Sequence, residues 1–332
     1  MKFFNKFSIT LIGAVAIVAT AQLTPVVAIS AQISSASVVA GTKAEDFFAQ
    51  GEEKYEKEDY QGAIAAYTQA IALNPNYAEA YNYRGVCRSH LGDSEGASAD
   101  FNEALRINPN YAKAYYNRGV VRSQLGDKQS AIADYNQVLR INPNYVAAYL
   151  NRGVTRYNLG DNKGAIADYS EALRINPNFA MAYYNRGVVR NDLGEKQAAI
   201  ADYNEAVKIN PNYADAYYNR GLARSELGDK QGAVADFNEV LRIKPNHPKA
   251  YYDRGLVRRG LGDNQGALAD YNEALRINPN FAQAYNNRGF ARANLGDKQG
   301  AIADYQKAAD LFQKQGDQNN YQKAVNNLRK IQ

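Results

Sequence analysis

Tryptophan is absent, cysteine occurs once, as Cys87, and histidine twice, as His90 and His247. A lone cysteine excludes an internal disulfide and any Cys-rich metal site. The two histidines are far apart in sequence and join no further ligand or nucleophile pattern, so neither a metal site nor a catalytic group is expected of them. There is no glycine-rich phosphate loop and no nucleophile motif. Beyond residue 31 no apolar run is long enough to cross a bilayer. Charge of either sign is scarce in excess. The formal balance is +5, and without Lys2 and Lys6 it would be about +3, too little for a nucleic-acid footprint.

What the chain does have is a period. Seven of its nine prolines, Pro75, Pro109, Pro143, Pro177, Pro211, Pro245 and Pro279, stand 34 residues apart. A length of 332 residues would otherwise suggest two or three globular domains, but a fixed period in this range means stacked supersecondary units. Ala112 to Tyr145 serves as the type copy, numbered from place 1 so that the proline falls at place 32. Tyr115, Arg118, Gly119 and Arg122, at places 4, 7, 8 and 11, form a stripe at helical spacing. Gly126 is the natural stop of this first helix and Asp127 the natural N-cap of a second. In that second helix Ala131, Ile132, Tyr135, Val138, Leu139 and Ile141 make an amphipathic face. Asn142-Pro143 ends it, because proline disfavours the helical conformation in the residue before it. Asn144 is expected to cap the next helix.

A small residue, an aromatic at place 4, Gly at 8, Ala at 20, an aromatic at 24, Ala at 27 and Pro at 32 together resemble the tetratricopeptide repeat. The resemblance covers eight units, at residues 44–77, 78–111, 112–145, 146–179, 180–213, 214–247, 248–281 and 282–315. It implies an all-α fold, a right-handed α-solenoid of eight helix-turn-helix units. One such unit buries too few large apolar side chains to offset the entropy of ordering 34 residues, so stacking is obligatory. This chain departs from the family in carrying arginine at places 7 and 11 from the second unit to the eighth, as in Arg84/Arg88 and Arg288/Arg292.

Arginines on the side of the first helix turned toward the second need partners, since burying an unpaired charge is severely unfavourable. Aspartate recurs at place 23 wherever the arginines occur, and the first unit has Ala66 there and no arginines. A structural ladder is therefore expected, with Arg118 and Arg122 on Asp134, Arg152 and Arg156 on Asp168, and Arg186 and Arg190 on Asp202. The alternative is a basic groove for an acidic ligand. Places 3 and 10 are mostly small and should touch the neighbouring unit, which makes Cys87, at place 10, a small buried thiol.

The resemblance also implies a concave surface on the remaining side of the first helix, where an asparagine at place 6 can hold the backbone of an extended peptide. Those asparagines are Asn117, Asn151, Asn185, Asn219 and Asn287, with Tyr83 and Asp253 breaking the series. Tyr116, Tyr184, Tyr218 and Tyr252, at place 5, would add contact area with a polar tip. Stacking alone does not call for asparagine here, but a merely polar surface is the other reading. Places 2 and 13 vary from unit to unit, as in Lys113, Met181, Asp215 and Lys249, and partner choice could reside there.

The ends differ from the middle. Residues 1–31 read as a secretory signal, with Lys2 and Lys6 before the apolar run Ile9 to Ala19; an uncleaved membrane anchor is the alternative. Residues 32–43 read as a linker, and Thr42 with Glu45 as a capping box that opens the first helix. Residues 316–332 read as an amphipathic helix that covers the open end of the stack. The functional expectation is a non-catalytic, extracytoplasmic scaffold for a peptide or protein partner, with no cofactor, metal or nucleic acid. An architectural, self-associating envelope component and a glycan or small-ligand receptor are the alternatives.

Overall fold

The computed structural model describes residues 35–332, and side chains from residue 43 onward. The expected signal or anchor, residues 1–31, lies outside the described residues. The chain divides into two units, the first ending at Pro177 and the second starting at Asn178. The first holds α1 (Ser35–Glu56), α2 (Tyr60–Leu73), α3 (Ala78–His90), α4 (Ser94–Ile107), α5 (Ala112–Gln124), α6 (Lys128–Ile141), α7 (Val146–Tyr157) and α8 (Asn162–Ile175). The second holds α9 (Ala180–Asp192), α10 (Lys196–Ile209), α11 (Ala214–Glu226), α12 (Lys230–Ile243), α13 (Pro248–Gly260), α14 (Asn264–Ile277), α15 (Ala282–Asn294), α16 (Lys298–Lys314) and α17 (Gln318–Ile331). All described elements are helices, paired as hairpins, and within each unit a hairpin's second helix packs on the first helix of the next hairpin. Both units are thus stretches of an α-solenoid.

Each hairpin turn is made by two residues acting in opposite senses. Gly126 has φ 87°, a left-handed conformation that ends α5 without the steric cost of a Cβ. Asp127 follows, and its carboxylate accepts a hydrogen bond from the Ser130 amide at the start of α6. The first repeat lacks the glycine, and Glu58 takes the left-handed conformation with φ 59°. At the other turn the expectation fails in detail. Asn144 does not cap the following helix, whose N-cap Tyr145 makes no side-chain cap bond. Asn142 Oδ1 instead accepts from the Asn144 amide at 3.0 Å, closing the turn around Pro143.

The two helices of a hairpin approach through a glycine set against a ring. A Cβ added to Gly187 would stand 2.7 Å from Tyr203 Cε1, and one on Gly85 would stand 2.8 Å from Phe101 Cε1. The ring is buried, with the place 20 alanine beside it, and the next repeat's place 10 residue closes the cluster, as Val121 does on Ala97 and Phe101. Cys87 fills the same role against Ala63 and Tyr67, and burial pushes its thiol up to about 12.

The ends were only partly legible. α1 begins at Ser35, so the Thr42–Glu45 pair lies inside a helix, not at its start. Gly41 lies inside that helix without ending it, and no proline occurs from Ser35 to Thr42 to block it. At the C-terminus, α16 runs three residues longer than the other second helices of the unit because Gln313 stands where a proline would be. Its Ala308, Leu311 and Phe312 pack with Ala324 of α17, which closes that end.

Candidate functional site

The first helices carry three sets of side chains, and their geometry separates those that hold the stack from those that remain open. The arginine ladder is the first set. Arg118 meets Asp134 through two nearly parallel hydrogen bonds, Nη2 to Oδ1 at 2.6 Å and Nε to Oδ2 at 3.0 Å. Arg122 adds Nη1 to Oδ2 at 2.8 Å. Arg152 and Arg156 do the same on Asp168, and Arg186 and Arg190 on Asp202. The aspartates are buried. Each is satisfied by two guanidiniums, one of them bidentate, the arrangement that keeps a buried carboxylate tolerable. The ladder also reaches across the hairpin boundary: Arg118 Nη1 donates to Asn102 Oδ1 of the preceding repeat at 2.7 Å, and Arg152 to Asn136 at 2.5 Å. Tyr115 lies under the Arg118 guanidinium, 5.4 Å from ring centroid to Cζ. These guanidiniums are engaged inside the stack and form no open basic groove.

The second set is the expected concave face, and its polar side chains are placed elsewhere than the resemblance implied. Asn151 and Asn219 are each 7% exposed, Asn185 2%, Tyr116 5% and Tyr184 2%. Asn117, Asn287, Tyr218 and Tyr252 are half-buried. In most repeats place 6 bonds place 5 of the repeat before it; Asn185 is an exception, its Oδ1 being buried without a hydrogen-bond partner. Asn151 Nδ2 donates to the Tyr116 hydroxyl at 2.9 Å, Asn219 to Tyr184 at 3.1 Å, and Asn287 to Tyr252 at 2.9 Å. Asn117 donates to Asn82 at 3.0 Å. The Asn287 carbonyl also accepts from Arg259 at 2.7 Å. These amides are spent on the joint between repeats, not presented to a guest, and burial pushes the Tyr116 and Tyr184 hydroxyls up. The signal was present in the sequence as a spacing of 35, from place 5 to the next place 6.

One rung of that joint is ionisable. Tyr218 donates to Asp253 Oδ2 at 2.6 Å, and burial pushes the Asp253 carboxyl up to about 6, with the Tyr218 bond and Lys249 drawing it back. His90 stacks on Tyr60 with centroids 4.4 Å apart, and His247 Nδ1 accepts from the Ala250 amide at 3.0 Å. Burial lowers both imidazoles. Among the described residues no group of three or more His, Cys, Asp or Glu side chains could hold a metal ion, and no helix is long and apolar enough to cross a membrane.

The third set is what stays at least partly open: the varied residues at places 2 and 13. In the first unit those at place 2 border a cavity of about 490 Å³ between α1, α3 and α5 and the turn before α7. Its wall includes Glu79 and Lys113, both at place 2, together with Tyr111 and Tyr145.

Hairpins of 34 residues, clamped internally by Arg–Asp pairs and, within each unit, joined by arginine–asparagine and amide–hydroxyl bonds, define a helical-repeat scaffold. The chain belongs to the tetratricopeptide repeat family: residues 48–112, 112–145, 214–247 and 282–315 match the tetratricopeptide repeat, and residues 155–194, 189–228 and 257–296 match the TPR repeat. The fold is one typical of protein–protein interaction scaffolds. No curated protein matches the chain. Among solved structures, the C-terminal part of a TPR repeat-containing protein from Cytophaga hutchinsonii is similar over 71% of this chain and 97% of its own, with a TM-score of 0.61 and 19% identity. A tetratricopeptide repeat protein from Parabacteroides merdae ATCC 43184 covers 75% of this chain and 99% of its own, with a TM-score of 0.54 and 19% identity. YrrB, described as a TPR protein with an unusual peptide-binding site, covers 55% of this chain and 95% of its own, with a TM-score of 0.50 and 24% identity.

Proposed function

We propose that this protein is a non-catalytic scaffold that takes an extended peptide, or an extended segment of a protein, along the first-helix face of its repeats. The observation that carries the reading is the division of labour on that face. Side chains that recur bond the stack to itself, while Glu52, Glu79, Tyr83 and Lys113, which vary, join the recurring Tyr111 and Tyr145 around a cavity of about 490 Å³, within the range of about 300–1,000 Å³ of ligand sites. The same fold carries a peptide-binding site in YrrB. The arginines and aspartates of the ladder and both histidines are occupied by structural bonds or ring stacking.

A photo-crosslinking amino acid introduced at the exposed Lys113, on the cavity rim, should capture a protein partner in cells, while the same group at the exposed Lys163 on α8 should not. Capture from neither position, or equally from both, would overturn the reading. The N-terminal pattern of Lys2, Lys6 and the apolar run supports an extracytoplasmic location, secreted or periplasmic, or anchorage by the same segment. A phosphatase reporter fused after residue 43, active only outside the cytoplasm, checks this.

A further inference from the structure

The repeats of the first unit are near-copies, so the places where they cease to be copies are informative. Place 9 is Val86, Val120 and Val154 in later repeats of this unit, but Glu52 in the first. Place 6 is Asn117 and Asn151, but Tyr83 in the second repeat. Both exceptions line the 490 Å³ cavity. Glu79 of α3 joins Glu52 of α1 there, and the aromatic wall is Phe48, Tyr83, Tyr111 and Tyr145. Phe48 and Tyr83 meet edge to face, with centroids 5.6 Å apart and rings at 80°.

The two carboxylates act on the same rings. Beyond the effect of burial, the negative charges of both Glu52 and Glu79 push up the hydroxyls of Tyr83 and Tyr77. Glu52 itself is pushed up, first by burial and then by Glu56 of its own helix, while Lys113 of α5 draws it back. Among the described residues neither Glu52 nor Glu79 has an ion-pair partner within 4 Å, whereas most carboxylates on the second helices have one. The lining therefore holds two carboxylates, one ammonium and four rings, and its net charge is opposite in sign to that of the whole chain.

We infer that this cavity is a pocket for one basic side chain, lysine or arginine, of the bound peptide, with Glu52 and Glu79 on its charge and the rings of Tyr83, Tyr111 and Tyr145 around its stem and cation. A single positive charge neutralises the lining, and a cation beside both carboxylates and aromatic faces is held by charge and by ring quadrupole together. Lys113 faces the flanking backbone carbonyls or an acidic neighbour of the basic residue. The inference rests on the peptide-binding reading above and gives it a sequence preference.

The test is a selection of short random peptides displayed on phage against the full-length chain, followed by affinity measurement on synthetic copies of the winners. Enriched peptides should share a lysine or arginine. Their affinity should fall by about tenfold or more in the E52Q/E79Q double variant, and charge reversal in E52K/E79K should enrich acidic peptides instead. Because neither glutamate is paired, both variants should melt as the parent does, so lost binding is not lost folding. Enriched peptides without a basic residue, or with affinity unchanged in E52Q/E79Q, would overturn this inference and leave peptide binding standing. No enrichment at all would overturn both.

Discussion

Tyr218 hydrogen-bonds Asp253 at 2.6 Å, across the same joint where Tyr184 meets Asn219 and Tyr252 meets Asn287. An acid has replaced an amide in a buried bond. Burial holds its carboxyl near pH 6, above the ordinary 3.8. Between those values the folded chain binds more proton than the unfolded one. The stability this contributes is complete below about pH 4 and is lost as pH rises through 6.

Asp253→Asn should therefore stabilise the protein at pH 8. The displacement corresponds to at most about 3 kcal/mol, and about 1–2 kcal/mol is expected after local relaxation. Asparagine keeps the acceptor that Tyr218 uses, so the joint itself survives. Denaturant melts from pH 4 to 8 should show the gain vanish toward pH 4; a gain independent of pH would contradict the assignment.

Asp168→Ala should be strongly destabilising. It strands Arg152 and Arg156 in a partly buried site, and breaking such a pair by removing one partner costs about 3–5 kcal/mol. Chemical denaturation followed by circular dichroism reads the effect. An unchanged midpoint would show that the ladder contributes nothing to the stack.

Tyr169→Phe should be neutral or stabilising by up to about 1 kcal/mol, since the Tyr169 hydroxyl is buried with no hydrogen-bond partner. Phe101 and Phe237 occupy the same place in other repeats and are as deeply buried. A clear loss of stability would reveal a bond that this hydroxyl makes in solution.

Asn219→Ala should cost stability, not only binding. It leaves the buried Tyr184 hydroxyl without its donor, worth about 1–3 kcal/mol. Had the asparagine faced a guest, the melt would be unchanged. Thermal melts of Asn219→Ala and of the Tyr184→Phe/Asn219→Ala pair separate the two: the second change should recover part of the loss.

The fold was legible because its determinants are local and recur. The turn glycine and capping aspartate mark most hairpins, and the arginines and Asp134 announce each other by appearing and disappearing together. The candidate site was not legible in the same way. Asn151 and Tyr116 are 35 residues apart, and a column of asparagines looks the same whether it faces solvent or the preceding repeat. Family resemblance favoured solvent, while the geometry of the stack turns them to the neighbour. Glu52 stands alone in the sequence; its company, Glu79 from the next hairpin and Tyr145 from beyond the one after, exists only once the hairpins are stacked.

Arg152 grips Asn136 with the atoms that Arg118 uses on Asn102. Excising residues 112–145 would bring Arg152 against Asn102 and remake an equivalent seam. The arginine–asparagine part of the joint is thus indifferent to which copy stands on either side, so a protein built this way can gain or shed whole hairpins, and with them reach along a partner, in steps of 34 residues.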